Sequence, residues 1–164
     1  MRRIILIVHS VRSAHNVGSL LRTAEGLGVE KVYLTGYTPY PRQPDDKRLP
    51  HIAKKSHDKI AKTALGAENH IDNEQLEDIF PLIENLSQQD FEICALEQAT
   101  NSIDLPDFKS PDKVVLIVGR EVEGIELEVL AKVDKILQIP MFGKKESFNV
   151  AQAAAMALYH LRFT

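Results

Sequence analysis

Apolar positions along this chain fall into short runs that alternate with stretches of helical spacing. Residues 4–8 form an unbroken apolar run, the length of a strand covered on both faces. Val17, Leu20, Leu21, Ala24 and Leu27 then recur at i, i+3, i+4, i+7 and i+10, which predicts an amphipathic helix with Gly28 as its stop. Lys31–Thr35 reads as a second strand, and Pro39, Pro41, Pro44 and Pro50 mark the next stretch as an extended loop. The pattern continues with helices over 53–65 and 73–86, strands over 91–96 and 114–118, a short helix over 127–131 and a strand over 136–139. An alanine-rich helix over 149–161 ends it. Strands alternating with helices predict an α/β fold, a mainly parallel sheet flanked by helices. No repeat or linker divides the chain, so residues 1–164 are expected to form a single domain.

Composition narrows the function classes. Hydrophobic residues make up 44% and charged residues 26%, which suits a packed globular chain and argues against disorder. The longest apolar run is far too short to span a bilayer and no signal-peptide pattern follows it, so a cytoplasmic protein without membrane contact is expected. Cys94 is alone, which rules out an internal disulfide and suggests a buried thiol. A net charge of −3 speaks mildly against general nucleic-acid binding, but its distribution speaks for it. Between residues 42 and 62, Arg42, Lys47, Arg48, Lys54, Lys55, Lys59 and Lys62 outnumber Asp45, Asp46 and Asp58, a local charge of +4. Residues 68–92 hold eight acids and no lysine or arginine. Such a basic lobe either grips phosphates or is a solvated face.

Familiar signatures fail on spacing. Gly26 and Gly28 end a helix where a dinucleotide fingerprint would open one, and Gly143-Lys144 lacks the upstream glycine of a phosphate-binding loop. The six histidines show no metal-ligand spacing, most read as surface residues, and no metal is expected.

Three segments hold chemistry. In Asn16-Val-Gly18-Ser-Leu-Leu-Arg22-Thr-Ala24, Arg22 lies about 160° from the centre of the apolar stripe and shares its face with Gly18, Ser19 and Gly26. Glycines there each cost roughly 1 kcal/mol relative to alanine, which suggests that something approaches the helix backbone beside the arginine. The plainer reading is a solvated surface arginine. In the second segment, an apolar strand at 114–118 runs into Gly119-Arg-Glu121-Val-Glu-Gly124-Ile125, a glycine-bounded acidic turn where open α/β sheets bind ligands. In the third, Pro140 must end a strand, freeing the following backbone for a ligand, and Ser147 or Asn149 is placed to cap the last helix.

Together with Lys62-Thr-Ala-Leu-Gly-Ala-Glu68, Ala95-Leu96 and Ile139-Pro-Met141, these segments resemble the motifs of the SpoU/TrmH-like branch of the SPOUT methyltransferases, over residues 4–161. The resemblance implies a SPOUT-type fold with a C-terminal trefoil knot, a homodimer, and S-adenosylmethionine as methyl donor. It implies transfer to a ribose 2′-hydroxyl of tRNA or rRNA. By position, Leu96, Gly119, Ile139, Met141, Ser147 and Phe148 are the expected cofactor contacts. Arg22, Asn16, Glu121, Ser147 and Asn149 match the catalytic and site-building positions. Ala14, Glu126 and Phe148 depart from commoner family residues and should adjust shape without removing chemistry. No N-terminal RNA-recognition domain is apparent, which leaves the identity of the RNA open. A guanidinium is always protonated, so Arg22 is read as a clamp on developing alkoxide and adjacent phosphate, with phosphate or water taking the proton. The rival readings are a non-catalytic RNA-binding protein of the same fold, and a nucleotide-binding α/β protein of another family. Retention of Arg22, Glu121, Ser147 and Asn149 argues against the first, and the failed phosphate motifs against the second.

Overall fold

A computed structural model describes residues 1–164. Seven strands form one wholly parallel sheet: β1 (Arg3–His9), β2 (Lys31–Thr35), β3 (Asn73–Leu76), β4 (Glu92–Leu96), β5 (Ile103–Asp104), β6 (Lys113–Val118) and β7 (Lys135–Gln138). Their spatial order is β3-β2-β1-β6-β4-β7-β5. The helices are α1 (Ala14–Gly26), α2 (Pro50–Ala64), α3 (Ile79–Gln88), α4 (Leu127–Leu130) and α5 (Val150–Phe163). No helix is long and apolar enough to cross a membrane.

The unbroken apolar runs are explained by burial on both faces of the sheet. Ile4, Leu6 and Val8 of β1 join Val114, Leu116 and Val118 of β6 in a core shared with α1, α2 and α5. The alternate residues Ile5, Ile7, Val115 and Ile117 pack on the opposite side against Ile79, Leu82, Ile83 and Leu86 of α3 and Val129 of α4. Cys94 is fully buried in the first of these cores, and desolvation raises its thiol pKa well above the ordinary value.

The residues 73–86 are not one helix, as the sequence reading had it. Asn73–Leu76 pairs in parallel with β2 as an edge strand, and the helix starts only after Asp78, whose side chain accepts from the Phe80 N–H at 3.0 Å. All residues of β3 are half-buried, so the strand carries no alternating apolar signature. Pro81 sits in the first turn of α3, where its missing N–H costs no intrahelical bond. Helix α2 likewise begins earlier than periodicity suggests, with Pro50 at its first turn. Among the histidines His9 is the buried one, 7% exposed between Thr35 and Glu126.

Helix α1 stands directly on α2, and Gly18 is the reason it can. A Cβ there would lie 2.3 Å from the Ile60 carbonyl oxygen and 2.9 Å from the Ala64 amide nitrogen. The close approach inferred from the glycines of this helix is therefore real at Gly18, but the neighbour is α2 and no ligand is needed to explain it. Nothing lies within 4 Å of a Cβ built at Gly26.

Candidate active site

The carboxyl ends of β4, β6 and β7 open onto a cleft of about 250 Å³. Leu96 ends β4, Gly119 follows β6, and Ile139 and Met141 follow β7; with Ser147 and Phe148 they all line this cleft. Six positions dispersed over some fifty residues thus meet in one place, where parallel sheets bind ligands. Pro140 and the absence of further pairing leave the next segment free. From Met141 to Phe148 the backbone makes one hydrogen bond to the rest of the chain, Gln98 Nε2 to the Glu146 carbonyl at 2.8 Å. The remaining amides and carbonyls of this loop are available donors and acceptors.

The opposite wall is the turn after β6. Its glycines are held by contact as well as conformation. A Cβ at Gly119 would lie 2.5 Å from Ile125 Cγ1, and one at Gly124 would meet Glu97 Oε2 at 2.1 Å. Gly124 also has φ +71°, a region that favours glycine. Glu97 fastens the turn: its Oε2 accepts from the Ile125 N–H at 2.9 Å and its Oε1 from the Gln98 N–H at 2.8 Å. Sequence reasoning missed Glu97. Its only signal is an acid placed flush against the end of an apolar strand.

Glu121 links this turn to α1. Its carboxylate accepts from the amides of Arg12 at 3.2 Å and Ser13 at 3.0 Å, and from Asn16 Nδ2 at 3.3 Å. Partial burial pushes its pKa up, but hydrogen bonds from the Ser13, Glu121 and Arg12 amides and from Asn16 outweigh that, and the net shift is downward. Glu121 therefore stays ionised. Asn16 Oδ1 in turn accepts from Asn149 Nδ2 at 3.1 Å, and Asn149 caps α5 by accepting from the Ala151 N–H at 2.9 Å. Ser13 caps α1 through the Asn16 N–H at 3.2 Å. One hydrogen-bonded chain, Glu121–Asn16–Asn149, thus joins the turn after β6 to the starts of α1 and α5.

Arg22 stands apart. It is exposed on α1, makes no hydrogen bond or ion pair, and does not line the cleft. Of the expected catalytic residues, only Glu121 and Ser147 lie on the cleft wall, with Asn16 and Asn149 beside it.

A parallel sheet with its cleft at the strand ends and an acidic turn bound to the first helix defines the class of fold to which these residues belong. The model of the SpoU rRNA Methylase family matches residues 3–159, and the chain belongs to that family. It is 29% identical over 162 residues to the 23S rRNA (guanosine(2553)-2′-O)-methyltransferase RlmP of Bacillus subtilis, covering 98% of this chain and 58% of that one. It is 29% identical over 161 residues to an uncharacterized tRNA/rRNA methyltransferase, slr1673, of Synechocystis, covering 98% and 53%. The chain spans about half the length of these curated relatives. The SpoU methyltransferase AviRb of Streptomyces viridochromogenes, solved with AdoMet, shares the fold at a TM-score of 0.81 and 19% identity, over 98% of this chain and 57% of that one.

Proposed function

We propose that this protein transfers a methyl group from S-adenosylmethionine to a ribose 2′-hydroxyl of transfer or ribosomal RNA, working as a homodimer in the cytoplasm. The observation that carries this reading is the single cleft onto which Leu96, Gly119, Ile139, Met141, Ser147 and Phe148 all face. Its composition suits the cofactor. Leu96, Ile139 and Met141 offer apolar surface for a purine, and the free backbone of 141–148 offers partners for its polar edge. The carboxylates of Glu97, Glu121 and Glu146 on the same lining suit a cation. When bound, the cofactor supplies an electrophilic methyl carried on positively charged sulfur.

The chain's own residues position the nucleophile. Ionised Glu121 holds the Arg12–Ser13 backbone and orients the Asn16 amide, which leaves Asn16 and Asn149 fixed at the cleft mouth as hydrogen-bonding groups for a nucleotide. A charge-stabilising group is also needed, and Arg22 of the same chain is outside the cleft. A second copy supplies it in our reading. The outer face of α5 offers the contact: Met156, Tyr159 and Phe163 are 38%, 61% and 65% exposed, and the last two rings lie 4.8 Å apart. The fork of Arg22 then clamps the developing alkoxide and the adjacent phosphate.

Calorimetric titration with S-adenosylmethionine, followed by nucleoside mass spectrometry of RNA incubated with the methyl-labelled cofactor, tests this function. Stoichiometric binding and a labelled 2′-O-methylnucleoside are expected. A cleft that ignores the cofactor, or label appearing only on bases, overturns the reading.

A further inference from the structure

A second concavity, of about 480 Å³, lies between the start of α1, the proline-rich loop and α2. Nine residues line it: among them are Arg12 just before α1, His15 from its first turn, and Lys55, Lys59 and Lys62 from α2. No acid is present in the lining. The three lysines recur at i, i+4 and i+7, so they share one face of α2. All three are exposed and none forms an ion pair. Their neighbours behave differently. Lys54, one residue off the face, is paired with Asp58, and Arg48 is spent on Asp46 and the Tyr40 ring. Of the seven basic residues between 42 and 62, Arg48 and Lys54 are paired with acids, Arg42 and Lys47 lie outside the groove, and Lys55, Lys59 and Lys62 form an unpaired row along it.

This groove shares a wall with the cleft. Arg12 lines the groove, and its amide donates to Glu121, which lines the cleft. Beside the groove, the Thr63 hydroxyl of α2 donates to the carbonyl of His15, a lining residue, at 2.7 Å and ties the two helices together. From Lys55 to Lys62 the row rises about 10 Å along the helix axis, too long for one phosphate and suited to a chain of them.

We infer that the α1–α2 groove is the track for the phosphodiester backbone of the RNA strand flanking the nucleotide in the cleft, with Lys55, Lys59 and Lys62 as phosphate contacts. The inference rests on the RNA-methylation reading and assigns its substrate-binding surface. Unpaired lysines bring positive charge to anionic oxygens without selecting a sequence, so the groove contributes affinity and register.

The test replaces Lys55, Lys59 and Lys62 together by glutamine, a residue of similar helix propensity. A control replaces Lys109, Lys132 and Lys135, all exposed and outside both concavities, giving the same change in net charge. Binding of a fluorescein-labelled 20-nucleotide oligouridylate is followed by anisotropy over a salt series, with S-adenosylmethionine binding measured in parallel. The groove variant is expected to lose about 2 from the slope of log affinity against log salt, and on the order of 10²-fold in affinity near 0.1 M salt. The control is expected to keep the wild-type slope, and both variants to keep cofactor binding. A groove variant with the wild-type slope overturns the assignment, as does an equal loss in the control. Failure of the wild-type protein to bind the cofactor would instead remove the methylation reading itself.

Discussion

Replacing Gly18 by alanine adds one methyl group where the structure has no room. The new Cβ would stand 2.3 Å from the Ile60 carbonyl oxygen and 2.9 Å from the Ala64 nitrogen, both backbone atoms that cannot swing aside. Ordinary contact would require α1 and α2 to part locally by roughly 1 Å, an overpacking cost of about 1–3 kcal/mol. Separation would also stretch the 2.7 Å bond from Thr63 to the His15 carbonyl, worth about 1 kcal/mol. Against this, alanine gains about 1 kcal/mol over glycine in a helix interior. The net expectation is a loss of about 2 kcal/mol, a fall in melting temperature of about 4–8 °C for a domain of this size. Gly26 is the internal control. It closes the same helix with nothing within 4 Å of its would-be Cβ, so Gly26→Ala should stabilise by up to about 1 kcal/mol. Urea titrations of both variants measure the difference, with an unchanged slope certifying that stability alone has moved. A Gly18→Ala protein as stable as its parent would refute the close contact of α1 with α2 at Gly18.

Three further outcomes follow from the site. Glu121→Gln keeps the shape but exchanges one acceptor oxygen for a donor, so the Arg12 and Ser13 amides cannot both be satisfied; a stability loss of about 1–3 kcal/mol is expected in urea titration, with methyl transfer reduced. Arg22→Lys keeps the charge and loses the fork, and should lower the transfer rate on the order of 10²-fold or more while cofactor binding measured by calorimetry is unchanged. Burial holds the His9 imidazole below its ordinary pKa, with Glu126 opposing, so the folded protein prefers it neutral. Its contribution to stability is therefore complete above about pH 6.5 and declines as pH falls from there toward the lowered folded value, a slope that should shrink in His9→Asn when urea midpoints are compared between pH 7.5 and 5.

The elements with strong periodicity were legible in the sequence because burial on both sheet faces forces unbroken apolar runs at β1 and β6 and a helical stripe on α1. Strand β3 was not, since an edge strand with every residue half-buried leaves no alternation. The cleft positions could be named from family motifs, yet the reason they meet lies in the strand order, which brings β4 between β6 and β7 across the chain. Glu97 and Arg12 escaped notice because each acts through a contact distant in sequence, Glu97 with Ile125 and Arg12 with Glu121. The local charge count marked residues 42–62 but could not separate the paired Lys54 and Arg48 from the unpaired row, which pairing alone decides.

The claim that matters most is that one copy's cleft works with the other copy's arginine. Mixing two inactive proteins tests it directly: Arg22→Ala, with an intact cleft, and Ser147→Trp, with a filled cleft and an intact arginine. Random exchange of a two-fold dimer puts half the molecules into mixed pairs, each with one complete site, so methyl transfer to RNA should recover to about a quarter of the wild-type rate. Mixed dimers that form and remain as inactive as either parent, or full activity of Arg22→Ala on its own, would contradict the account.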